Sequence, residues 1–153
     1  MEFVDLVPNS LTFRVINTID VQDESSVPAS YSGRVRRYLD GSLVYVAWYR
    51  DGLLHNPGRS NAAYRRLRPD GKLKYELFYA RGVLDNPAGG GPAVRGFFAD
   101  GAVHYQEHYR DGKRNDAADG TPAIRKWRHD GSIRHELHYT DGRREVRPRM
   151  SLV

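Results

Sequence analysis

Residues 92–112 read PAVRGFFADGAVHYQEHYRDG, and residues 122–142 read PAIRKWRHDGSIRHELHYTDG. The second stretch restates the first at an offset of 30 residues. Working outward in both directions, the same offset links Asp40-Gly41, Asp70-Gly71, Asp100-Gly101 and Asp130-Gly131. A second glycine follows each pair, at Gly52, Gly82, Gly112 and Gly142, and a tyrosine keeps step at Tyr49, Tyr79, Tyr109 and Tyr139. Self-similarity at a fixed period is the mark of a repeat array, in which each unit buries its apolar surface against its neighbours.

Each unit has a simple grammar. An apolar-aromatic run leads to Asp-Gly, a second such run leads to the next glycine, and a longer loop follows, such as His55–Ser60 or Asp85–Gly91. Both runs are rich in β-branched and aromatic residues and bounded by turn residues, so both read as strands. Asp-Gly between two strands is a strong hairpin signal, because a tight turn needs positive φ. No segment carries a capped helical periodicity. The expected fold is therefore all-β: an elongated, twisted antiparallel sheet of four consecutive hairpins. Residues 1–20 alternate about Pro8-Asn9-Ser10 and read as a further strand pair, able to cap one end or fold over one face. Residues 21–32 read as a linker. The domain reading is residues 1–32 as strand pair and linker, 33–147 as the array (33–61, 62–91, 92–121, 122–147) and 148–153 as a tail.

Comparing units fixes an expected register. With Asp-Gly as a two-residue turn, Arg65 faces Glu76, Arg95 faces Gln106, Arg125 faces Glu136 and Val35 faces Val46. Polar pairs and the apolar pair change together, as opposed partners do. A three-residue loop slips the pairing by one and sets Arg66 against Lys74 and Lys126 against Arg134, which repel. The two-residue turn predicts two faces. A core face carries Leu43, Tyr45, Ala47, Tyr49, Leu73, Tyr75, Leu77, Tyr79, Val103, Tyr105, Tyr109, Ile133, Leu137 and Tyr139. Tyr64, Val94, Phe98 and Ile124 join it from the partner strands. A mixed face carries Trp48, Leu67, Lys74, Glu76, Phe78, Phe97, His104, Gln106, His108, Trp127, Arg134, Glu136 and His138, with Trp127 set against Arg134 as a cation–π pair.

The chain holds 24 Lys and Arg against 19 Asp and Glu, a formal charge of +5. That excess favours an acidic partner surface, a nucleic acid or an anionic membrane; part of it lies in the run Arg143–Arg149. There is no cysteine, so disulfides and thiolate metal sites are excluded. No stretch reaches transmembrane length and the first residues lack the pattern of a secretory signal. A soluble, cytoplasmic protein is expected.

The phrase Pro-Ala-x-Arg, an aromatic, Asp-Gly, an aliphatic, then Glu-x-x-Tyr-x-Asp-Gly, fitted best by Pro122–Gly142, resembles MORN repeats. It is more similar to the longer MORN-like variant found in proteins labelled as antitoxins of the YwqK type. The resemblance covers about residues 33–145. The first unit departs from it in lacking Pro-Ala and the glutamate, and the second carries Arg81 in place of aspartate. The resemblance implies a twisted hairpin array with a scaffold or binding role, in a setting such as an antitoxin, an immunity protein or a phage-encoded inhibitor. It brings no catalytic residues.

Candidate chemistry is sparse. His104 and His108 lie four residues apart, about 13 Å along a strand, too far to chelate one ion. His135 and His138 point to opposite faces. Glu76 and Glu136 have arginine partners, so acid–base work is not their expected role. Gly89-Gly90-Gly91 lacks the lysine-serine and helix of a phosphate cradle. No enzyme, metal or cofactor is expected. The expected function is a protein-binding module using Trp48, Phe78, Phe97, His104, His108, Trp127, Arg134 and His138. A binder of nucleic acid or acidic lipid is the alternative. Exposed end strands allow edge-to-edge homodimers.

Overall fold

The computed structural model describes residues 2–6 and 13–146, and is all-β apart from one short 3-10 turn at Glu24–Ser26. The turn expected at Pro8-Asn9-Ser10 and the tail from residue 147 lie outside the described residues. The strands are β1 (Glu2–Leu6), β2 (Phe13–Asp20), β3 (Gly33–Leu39), β4 (Ser42–Arg50), β5 (Leu53–Leu54), β6 (Tyr64–Leu67), β7 (Leu73–Leu77) and β8 (Tyr79–Ala80). They continue as β9 (Val83–Leu84), β10 (Val94–Phe97), β11 (Val103–Glu107), β12 (Tyr109–Arg110), β13 (Lys113–Arg114), β14 (Ile124–Trp127), β15 (Ile133–Thr140) and β16 (Arg143–Glu145).

One sheet runs through the chain in the order β1-β2-β3-β4-β6-β7-β10-β11-β14-β15-β16, with β5 paired to β4. The N-terminal pair lengthens the sheet within its plane. β1 and β2 are antiparallel, and β2 joins β3 in the one parallel pairing among the described residues, Ile19 beside Val35. A parallel pairing requires a crossover. The linker supplies it and packs Val21, Val27 and Tyr31 on the core cluster of Val35, Tyr45, Ala47 and Tyr64.

The Asp-Gly turns are of two kinds. At Asp40-Gly41 both residues have positive φ, 49° and 78°, and Leu39 pairs with Ser42, the expected two-residue turn. At Asp70, Asp100 and Asp130 only the following glycine has positive φ. There the loop has three residues. Gly71 N–H donates to the Arg68 carbonyl (2.8 Å), as Gly101 does to Phe98 and Gly131 to Arg128. Each aspartate accepts the backbone N–H two residues on, from Lys72, Ala102 and Ser132. This local bond holds the aspartate out of the left-handed region. The two-residue turn expected in these units is thus corrected.

The expected register nevertheless holds in them: Arg65 faces Glu76, Arg95 faces Gln106 and Arg125 faces Glu136. A bulge at Lys74, His104 and Arg134 supplies the missing residue, since Leu67 pairs with Leu73 but Arg66 with Tyr75. The bulge keeps Arg66 off Lys74 and Lys126 off Arg134, the repulsions that had argued against a three-residue loop. The first unit carries the same bulge at Val44 behind a two-residue turn, so Val35 faces Ala47, and Val46 faces Arg36. The expected Val35–Val46 pair is corrected for that reason.

A bulge also turns side chains over. Leu43, Leu73, Val103 and Ile133, expected on the core face, are paired with Tyr38, Leu67, Phe97 and Trp127 on the mixed face. The core face keeps a row with one residue per strand: Ile19, Val35, Ala47, Tyr64, Leu77, Val94, Glu107, Ile124 and Leu137. Tyr45, Tyr64 and Tyr75 stack in sequence beside it, with ring centroids 5.2 and 6.0 Å apart. Burial pushes the Tyr64 phenol up to about 12. Tyr105 lies directly over Gly96, where a Cβ would come within 2.1 Å of its ring.

The second glycine of each unit closes a small hairpin of its own. Asp51, Arg81, Asp111 and Asp141 all have positive φ, as do the glycines that follow them. These hairpins stack by backbone bonds, from Gly52 N–H to the Tyr31 carbonyl, Gly82 to Leu54, Gly112 to Leu84 and Gly142 to Arg114.

Candidate interaction surface

Three rows cross the mixed face at right angles to the strands. The middle row takes one residue from each of nine strands: Asp20, Arg36, Val46, Arg65, Glu76, Arg95, Gln106, Arg125 and Glu136. Its centre is a buried carboxylate, Glu76, 3% exposed, gripped from both sides. Arg95 Nε donates to Glu76 Oε1 at 2.9 Å, and Arg65 Nε lies 3.5 Å from Oε2. Arg36 pairs with Asp20 and Arg125 with Glu136 toward the two ends. Arg65 and Arg95 keep nearly half of their side-chain surface in solvent while Glu76 lies beneath them, so the row presents cations outward.

On the turn side of this row runs an apolar stripe of four cross-strand pairs: Tyr38–Leu43, Leu67–Leu73, Phe97–Val103 and Trp127–Ile133. It is open to solvent at Tyr38 (43%), Val103 (36%) and Ile133 (45%). The two rows interlock. Arg36 lies over Tyr38, Arg95 over Phe97 and Arg125 over Trp127, at 5.6, 6.0 and 5.9 Å from the ring centroids. Such stacking holds the guanidinium planes while their edges face the carboxylates of Asp20, Glu76 and Glu136.

The third row is Trp48, Phe78, His108 and His138, and it is roofed by the long loops. The N–H groups of Trp48, Phe78 and His108 donate at 2.7 Å to the carbonyls of Ala63, Ala93 and Ala123. These alanines are almost wholly buried, so a small side chain is required in each unit. The loops are pinned by a residue that also repeats at 30: Asn56, Asn86 and Asp116. Asn56 Oδ1 accepts the N–H groups of Ala63 and Tyr79, and Asp116 Oδ1 those of Ala123 and Tyr139. Asn86 Oδ1 accepts Tyr109 N–H. Ser60, Pro87, Gly90, Gly91 and Pro92 meet Phe78 and Arg95 around a cleft of about 90 Å³.

His108 is 5% exposed and neither ring nitrogen has a hydrogen-bond partner. Burial lowers its pKa below the ordinary 6.5, and Arg125 adds to that, against Asp119 and Asp116. His138 is held differently, with Nδ1 at 2.7 Å from Asp116 Oδ2. Burial by itself raises the Asp116 carboxyl. The bonds from His138, Tyr139 and Ala123 outweigh it and hold the group below its usual value.

The eight nominated side chains therefore do not share one surface. Phe97 and Trp127 lie in the apolar stripe. His104 and Arg134 are the bulge residues. His104 stacks on Phe98 at 4.2 Å and meets the edge of Tyr105, so it belongs with the opposite face. His129 covers the other side of Phe98. Trp127 takes its cation from Arg125, not from Arg134. Phe78 and His108 are buried, Trp48 is half-buried with Arg34 5.6 Å from its ring, and His138 is tied to Asp116. The sequence reading missed the stripe members Leu43, Leu73, Val103 and Ile133, because nothing in the Asp-Gly signal announces a bulge. It also missed Asn56, Asn86 and Asp116, which the 30-residue period did mark.

Among the described residues no three His, Asp or Glu side chains gather to hold a metal ion, and no helix is long and apolar enough to cross a membrane. Comparison with protein-family models, with curated proteins and with solved structures finds no match.

Proposed function

We propose that the chain is a non-enzymatic protein-interaction module, a MORN-like hairpin array that docks a protein partner on its mixed face. The observation that carries this reading is the apolar stripe beside the arginine row. Aromatics flanked by arginines, here exposed at Tyr38 and half-buried at Phe97 and Trp127, are the side chains enriched at protein interfaces. The arginines are already matched, to Asp20, Glu76 and Glu136 and to the rings of Tyr38, Phe97 and Trp127, which favours a partner read by shape and apolar contact over a polyanion read by charge. An antitoxin, immunity or inhibitor role fits an array of this kind. The test is capture of partners from host lysate by the wild-type chain and by a Phe97→Ala/Trp127→Ala double variant with unchanged circular dichroism, at low and high salt. A partner retained at high salt and lost with the double variant is expected. Binding indifferent to the double variant, and falling steeply with salt, marks the nucleic-acid or acidic-lipid reading instead.

A further inference from the structure

β15 lies toward one end of the sheet. Along Ile133–Leu137 it pairs with β14, and no other described strand meets it there. Its counterparts in the earlier units are all covered: β4 by β6, β7 by β10 and β11 by β14. The covering segment has the same form each time, Ala63-Tyr64-Arg65, Ala93-Val94-Arg95 and Ala123-Ile124-Arg125. Its register is also the same. The arginine faces Val46, Glu76 or Gln106, and the apolar residue before it faces Ala47, Leu77 or Glu107. The sheet thus holds three examples of what fits the outer edge of such a strand.

The edge of β15 keeps the features that the covered strands use. The N–H groups of Phe78 and His108 donate to the Ala93 and Ala123 carbonyls of the covering segments. Main-chain groups alternate in direction along a strand, so those of Glu76 and Gln106, two residues earlier, point the same way. By the same alternation the N–H and C=O of Glu136 point away from β14. The side chains agree with the backbone. Glu136-Leu137 repeats Glu76-Leu77. Glu76 is gripped by Arg65 from one strand and Arg95 from the next, and its side chain is 4% exposed. Among the described residues Glu136 meets one arginine, Arg125 at 3.6 Å, and its side chain is 34% exposed. The inner half of the clamp is built and the outer half is open.

We propose that the outer edge of β15 binds an extended segment of a different protein by antiparallel strand addition, with an arginine on Glu136 and an apolar residue just before it on Leu137. In this mode main-chain bonds give affinity and side chains give selectivity. A carboxylate opposite Glu136 repels it, and an apolar residue there buries it deeper without a second cation. A second copy of the chain is a poor occupant. Its matching strands β6, β10 and β14 are hydrogen-bonded on both sides. A second β15 sets Glu136 against Glu136, and β1, at the other end of the sheet, has no arginine. The edge is separate from the apolar stripe, so the proposal goes beyond docking on the mixed face.

The experiment is native-state hydrogen exchange of the full chain, read at the Glu136 amide. The probe is the synthetic peptide Pro-Ala-Val-Arg-Gly-Phe, the sequence of residues 92–97. The control carries glutamate in place of its arginine. With the arginine peptide at about ten times its dissociation constant, exchange at Glu136 is expected to slow about ten-fold. The control is expected to bind about ten-fold more weakly. Glu136→Gln is expected to abolish the preference between the two peptides, and Phe97→Ala to leave it unchanged. No protection at millimolar arginine peptide overturns the proposal, as does equal action of the two peptides or a preference that survives Glu136→Gln. Loss of binding with Phe97→Ala also overturns it, by moving the peptide to the mixed face. So does a Glu136 amide already protected in the peptide-free chain: the edge is then covered by another part of the chain or, if protection rises with protein concentration, by a second copy.

Discussion

His108 occupies the position that Phe78 fills one unit earlier, and it is buried there with neither ring nitrogen partnered. A buried polar ring without partners is a cost that a phenyl ring of similar shape avoids. His108→Phe is therefore expected to raise the melting temperature at neutral pH. The folded-state pKa of His108 lies below the ordinary 6.5, so the unfolded chain binds the proton more readily. Stability held by the neutral ring is complete above the unfolded value. It is lost as pH falls from about 6.5 toward the folded-state value. His108→Phe is expected to remove that part of the acid slope, read as melting temperature between about pH 7 and pH 5. Gly96 makes a second test. The Tyr105 ring fills the space that a Cβ would need, so Gly96→Val is expected to cost about 1–3 kcal/mol in chemical denaturation through overpacking.

Between the turns, the elements that fix each unit are the loop clamp and the bulge. Asn56 satisfies two backbone N–H groups, that of Ala63 in the loop leading into β6 and that of Tyr79 on β8. Asn56→Ala leaves both without that acceptor, and is expected to cost about 2–4 kcal/mol in urea unfolding. Asp116→Asn keeps the acceptor for Ala123 and Tyr139 and replaces the carboxylate oxygen that meets His138 Nδ1. It is expected to cost under about 1 kcal/mol. At this scale the sequence was legible in part. Alternation and Asp-Gly announced the strands, their order and the pairing of Arg65 with Glu76. They did not announce that aspartate at 70, 100 and 130 would bond to its own backbone and lengthen the turn by one. That lengthening and the bulge cancel in the register, so charge pairing alone could not reveal either. They do not cancel in the faces, and that is why Leu73, Val103 and Ile133 emerge on the mixed face and not on the core face. The buried row was missed for a related reason. A histidine at 108 reads as polar until the Ala123 loop is seen to close over it.

Across the whole molecule, units are fastened only to their neighbours, so the ends differ from the middle. β7 and β11 are hydrogen-bonded on both sides. Among the described residues Ile133–Leu137 of β15 pairs with β14 alone, and Ile133, Arg134, His135 and Glu136 are all exposed. Amide exchange is expected to be faster in Ile133–Leu137 than in Tyr75–Leu77 or Tyr105–Glu107, measured residue by residue under native conditions. The cancelling bulge has a further consequence, for how such a chain can grow. Because each of the last three units returns the register to the same offset, thirty residues is the quantum of length. A tandem duplication of residues 62–91 inserts two strands into the main sheet, with one small hairpin beside them, and leaves every other side chain on its original face. It adds one arginine and one apolar pair to the surface. An indel of one residue within a strand inverts the rows around it. The length of the mixed face can therefore be changed by recombination in a single event, with the core preserved at every intermediate copy number.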